Sequence, residues 1–78
     1  MTNKLSAKER NEAILLEAIK KWFKNGHGYG PSYRNLVDLS ELPLGTIHKT
    51  CRFLREKGMI EFNDKIARSI TLTKKGKK

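Results

Sequence analysis

The chain has 78 residues, 37% hydrophobic and 32% charged, with 17 Lys and Arg against 8 Asp and Glu for a formal net charge of +9. That length leaves no room for a second core, so this is one small domain whose large apolar residues must be buried together. The charge favours a polyanionic partner, nucleic acid first, and the single cysteine, Cys51, excludes an internal disulfide and a Cys-rich zinc site.

In chain order, residues 1–5 are expected to be a frayed leader. Ser6-Ala7-Lys8-Glu9 is a capping box: Ser6 accepts from the Glu9 amide while the Glu9 carboxylate returns to Ser6. From there a helix is predicted to about Lys24, with Leu15, Ala18, Ile19, Trp22 and Phe23 as its apolar stripe and Glu17, Lys20, Lys21 and Lys24 outside it. Three glycines and a proline between Asn25 and Pro31 end that helix, with Gly26 as a left-handed cap. The alternation of Gly with His27 and Tyr29 lacks the spacing and the preceding strand of a phosphate cradle. Ser32 caps a short second helix, predicted over residues 32–39, whose first amides are also suited to a phosphate.

After Ser40-Glu41-Leu42-Pro43, a third helix is predicted over residues 44–57. Turning about 100° per residue, Leu44, Thr50, Cys51 and Leu54 cluster around Ile47, while Gly45, His48, Lys49, Arg52 and Glu56 fall on the opposite arc. One face suits a core and the other a polar, mainly cationic contact. Two helices joined by so tight a turn, the second with a basic outer face, make a helix-turn-helix pattern. Gly58 stops the helix. Residues 59–62 read as a strand, Asn63-Asp64-Lys65 as a turn, and residues 66–73 as a second strand with Ile66, Arg68, Ile70 and Leu72 on one face. Arg68 among those apolar residues suggests a hairpin that projects past the core with its tip in solvent. Residues 74–78, Lys-Lys-Gly-Lys-Lys, read as a disordered basic tail after a domain of residues 1–73. Basic residues outnumber acidic ones seven to four before residue 40 and ten to four from there on, so the excess falls on the third helix, hairpin and tail.

The expected class is therefore α+β, a winged helix-turn-helix of three helices followed by a two-stranded β-hairpin wing. At this point the sequence resembles a known family. A Gly-Tyr-x-Pro-Ser loop, Arg34-Asn35-Leu36-Val37, Leu42, Thr46-Ile47-His48, Leu54-x-x-Lys57-Gly58-Met59-Ile60 and an Ala67-Arg68-Ser69-Ile70-x-Leu72 ending follow one another in order. Together they are similar to the winged-helix DNA-binding domain of the LexA repressors, over roughly Glu9 to Leu72. The loop and the Arg-x-Ile-x-Leu ending are the more specific parts; the Lys-Gly-x-Ile step is shared by many winged helices. The resemblance implies a third helix in the major groove and a wing on the backbone. The self-cleaving, dimerising half of those repressors has no counterpart in these residues, so neither property carries over. Gly45 and Lys49 depart from the base-reading set of the bacterial repressor, so the operator does not carry over either. A short free-standing form suits a phage or mobile-element regulator.

The residues assigned to a double-stranded DNA interface are Ser32, Tyr33 and Arg34, then Gly45, Thr46, His48, Lys49 and Arg52, and finally Lys65 and Arg68 in the hairpin. Enzyme chemistry finds little support: His27 lies in a loop, His48 on an outer face, Cys51 on an inner one, and no carboxylates cluster for metal or acid–base work. No catalytic residue, metal or cofactor is expected. No apolar run nears the ~20 residues of a membrane span and no signal peptide opens the chain, so a cytoplasmic, nucleoid-associated monomer is expected. The rival reading is a winged helix that docks on transcription or replication proteins, for which Phe53 is the one candidate apolar anchor.

Overall fold

The computed structural model describes residues 6–63, 65–66 and 68–74. The expected leader, the tail from residue 75 and two positions of the hairpin, Asp64 and Ala67, lie outside the described residues. The element order is α1 (Ala7–Lys24), α2 (Tyr33–Ser40), α3 (Leu44–Glu56), β1 (Ile60–Glu61) and β2 (Thr71–Leu72). This is an α+β arrangement in which three helices precede a two-stranded antiparallel sheet. Among the described residues, no helix is long and apolar enough to cross a membrane.

α1 and α2 start at side-chain caps that partner their end groups, whereas α3 starts after Pro43 with no side-chain cap bond. At α1 the Glu9 amide donates to Ser6 Oγ at 3.2 Å and the Ser6 amide to Glu9 Oε1 at 3.1 Å. That hydrogen bond from the Ser6 amide, with help from the Ser6 hydroxyl, holds the Glu9 carboxyl below its ordinary pKa. At α2, Ser32 and Asn35 repeat the exchange, Asn35 taking the place of the usual Glu or Gln. Glu41 ends α2 in the left-handed region at φ +61°. Gly58, at φ +76°, ends α3: its amide donates to Arg55 O at 2.9 Å and the Met59 amide to Leu54 O at 3.0 Å. That pair of bonds is the Schellman closure, and it turns the chain directly into β1.

The core lies where the three helices meet the sheet. Leu15, Ala18, Ile19, Leu36, Ile47, Cys51, Leu54, Ile60 and Ile70 are all buried and form one cluster. Trp22 is buried at its margin, donating from Nε1 to Tyr29 O at 2.7 Å and stacking on His27 with ring centroids 3.7 Å apart. Leu44, expected on the inner arc of α3, is instead 51% exposed. As the first residue of the helix, its side chain leans back towards the N-terminus, away from the turns that pack on the core.

Glu12 is the residue that hydropathy alone misplaces. It stands one turn before Leu15 on the α1 stripe, is 6% exposed, and pairs through Oε1 with Lys57 Nζ. The pair ties α1 to the residue that caps α3. Its other oxygen, Oε2, has no hydrogen-bond partner among the described residues.

The strands are far shorter than the alternation predicts. Among the described residues, the paired positions are Ile60↔Leu72 and Glu61↔Thr71. Arg68 is the reason: it sits in the left-handed region at φ +58°, which breaks the expected run of residues 66–73. Its carbonyl accepts from the Gly30 amide at 3.2 Å, not from the first strand. A Cβ on Gly30 would stand 2.3 Å from Ile70 O, so only glycine lets the loop lie this close to the hairpin. The expected common face therefore divides: Ile70 is buried, while Ile66 is 58% exposed and Arg68 is exposed as well.

Candidate nucleic-acid interface

The outer face of α3 is cleanly separated from its inner one. Ile47, Thr50, Cys51 and Leu54 are buried, and Gly45, His48, Lys49 and Arg52 are exposed. Burial pushes the Cys51 thiol up to about 12, so it is protonated near neutrality and behaves as a core side chain. Thr46, assigned to the interface, is half-buried at the edge of the two faces. Gly45 has no heavy atom within 4 Å of the place a Cβ would take and no positive φ, so nothing inside the molecule requires a glycine there.

The start of α2 joins this face. The Tyr33 ring packs against His48 with centroids 4.1 Å apart and planes inclined by 35°. Ser32 stands one residue earlier as the cap of α2, and Arg34, next to Tyr33, is exposed. Ser32, Tyr33 and His48 are therefore brought together across the turn between α2 and α3, which sequence spacing alone could only suggest.

The hairpin end differs in part from expectation. Arg68 folds back, donating from Nη1 to Asn35 Oδ1 at 3.1 Å, with its guanidinium 4.9 Å from the centre of the Tyr29 ring, while Lys65 and Ile66 are exposed as expected of a tip in solvent. Asn35 Oδ1 also accepts from the Ser32 amide at 3.0 Å and the Ser32 hydroxyl at 2.8 Å. One side-chain oxygen thus caps α2 and holds the hairpin to it. The intervening loop is closed by its own bonds. The Asn63 amide donates to Ser69 Oγ at 2.8 Å, Ser69 Oγ to Asn63 O at 3.0 Å, and the Lys65 amide to Asn63 Oδ1 at 2.9 Å.

Between the start of α2 and this loop runs a groove of about 380 Å³. Lys65 and Arg68, both assigned from the sequence, line it together with Ser32 and Tyr33. Asn35, Phe62 and Ile66 were not assigned. The Ser-x-x-Asn spacing is legible as a cap, but its contact with Arg68 spans 33 residues and has no local signal. Phe53, the expected apolar anchor of the rival reading, is half-buried with the Lys8 ammonium 4.1 Å from its ring centre. No protein-family model, curated protein or solved structure matches the chain.

Proposed function

We propose that the protein is a duplex-DNA-binding regulator of the winged helix-turn-helix kind, with α3 in the major groove and the hairpin as a wing on the backbone. The observation that carries this reading is the outer face of α3. Gly45, His48, Lys49 and Arg52 are exposed together on a helix whose other side is committed to the core. That leaves a cationic surface on a rigid element, the form in which base edges are read. The glycine supports it: a helical Gly costs ~0.5–1 kcal/mol relative to Ala, and a close-approaching backbone is a reason to keep one. Ser32, Tyr33, Arg34, Lys65 and Arg68 would meet phosphates, and the formal net charge of +9 supplies long-range attraction. The resemblance to LexA-type DNA-binding domains points the same way.

A docking role on another protein draws on one observation, the exposed apolar pair Ile14 and Leu39, at 37% and 36%, which line a common surface depression on α1 and α2. Charge separation favours DNA over it.

The test is selection from a random duplex pool, followed by Arg52→Ala on the selected site. Arg52 has the fork geometry for guanine O6 and N7, and losing such a contact costs ~1–3 kcal/mol on the preferred site but much less on random duplex. Equal losses on both would move Arg52 to the backbone. No retention on duplex DNA at low salt would overturn the proposal.

A further inference from the structure

We infer that the groove between α2 and the hairpin loop takes one unstacked nucleotide, so that the protein prefers a duplex carrying a single-stranded extension. The inference rests on the nucleic-acid reading above and adds to it a subsite that shares Tyr33, Lys65 and Arg68 with the proposed phosphate contacts.

The lining has the chemistry for both halves of a nucleotide. Tyr33, Phe62 and Ile66 give it aromatic and apolar walls, while Lys65 and Arg68 place cations on the same groove. Successive stacked bases in a duplex offer phosphates and edges but no free ring faces. A groove that serves only a duplex backbone therefore has no use for apolar walls. Cations combined with aromatic surface are instead the pattern of single-strand binding, where phosphate and base face are met together. The volume, about 380 Å³, lies within the range of small-ligand clefts.

The walls are also held in advance. Tyr33 is packed against His48 at 4.1 Å, and Phe62 carries the Arg55 guanidinium 4.2 Å from its ring centre. Ile66 stands on a loop pinned by Asn63 and Ser69, its own amide donating to Asn63 O at 3.0 Å. It is 58% exposed, the most exposed of the large apolar residues among those described. An apolar side chain left open to water beside two cations fits a base better than it fits solvent. The two aromatic walls therefore need little ordering on binding, which favours affinity.

The experiment compares a blunt DNA hairpin with the same hairpin carrying a short oligothymidine extension, and includes the oligothymidine alone. A fluorescent adenine analogue in the extension reports stacking. One stacked base should tighten binding at least about fivefold and quench the analogue. Ile66→Ala, whose exposed side chain leaves the fold intact, should remove the gain and the quenching while blunt-hairpin affinity stays unchanged. Equal affinity for blunt and extended hairpins, or a gain that survives Ile66→Ala, overturns this subsite and leaves the duplex reading standing. Binding to oligothymidine with none to the blunt hairpin keeps the subsite and overturns the duplex reading. No binding to any of the three overturns both. Ile66-dependent binding to anionic phospholipid vesicles, with the DNA gain absent, would reassign the surface to a membrane.

Discussion

At the residue scale, Gly45 separates folding from function. Its surroundings leave open space for a methyl group, and alanine is the better helix residue because it loses less backbone freedom on folding. Gly45→Ala should therefore stabilise the fold, by ~0.4–1 kcal/mol, read as a higher urea midpoint with an unchanged slope. If α3 enters a groove with this residue close to the backbone, the same substitution weakens duplex binding. A variant that is more stable and binds duplex equally well would remove Gly45 from the interface. Asn35 works at this scale too, since one oxygen serves the α2 cap and Arg68 together. Its replacement would loosen two elements at once.

At the scale of elements, the join between α1 and the end of α3 depends on the Glu12–Lys57 pair. A buried carboxylate costs desolvation that only its partner offsets, so removing one member is worse than removing both. Lys57→Met should destabilise towards the low end of the ~3–5 kcal/mol typical of broken buried pairs, because the Lys57 side chain is 47% exposed and water reaches it. The double variant Glu12→Met, Lys57→Met should recover most of that loss, since methionine suits the neighbouring Leu16, Leu54 and Met59. Urea unfolding of the single and double variants decides this. A double variant no more stable than Lys57→Met alone would show that the pair is not the source of the cost. The same join matters to function, because Lys57 caps the proposed reading helix and leads through Gly58 into the hairpin.

For the whole molecule, the questions are copy number and salt. A single module of this size buries only ~600–1,000 Å² of protein surface on DNA, which gives one copy modest discrimination. The large apolar residues are mostly committed to one core, and Leu16 and Phe53, at the stripe edges, pack against it or lie half-buried. A monomer is expected in sedimentation at micromolar concentration, with pairing on DNA seen as a second gel-shifted band when half-sites lie about one helical turn apart. If Arg34, Lys65 and Arg68 neutralise three phosphates, log K should fall with log salt at a slope of roughly −3. A stable dimer without DNA would overturn the monomer, and attention would then turn to Ile14 and Leu39, whose apolar surface is open.

What the sequence determined by itself is whatever depends on neighbours a few residues away. The capping box at Ser6, the cap at Ser32, the left-handed Gly26 and Gly58, and the two faces of α3 are all local, and the structure has each of them. A helix closes its bonds over four residues, so its ends and its faces are written within one turn. The tertiary structure decided what depends on contacts between distant parts of the chain. The pleat alternation in residues 66–73 predicted a long strand, but Gly30 approaches Arg68 and Ile70 closely, and Asn35 accepts from a left-handed Arg68. Those contacts override a local period because they satisfy buried or half-buried polar groups that the hairpin ladder would otherwise have to pair. Glu12 followed the same rule in the opposite direction: its charge reads as surface, and a lysine 45 residues away lets it lie in the core. The basic face of α3 was legible from spacing alone. The groove beside it was not, because its walls come from α2 and the hairpin and meet only once the chain has folded.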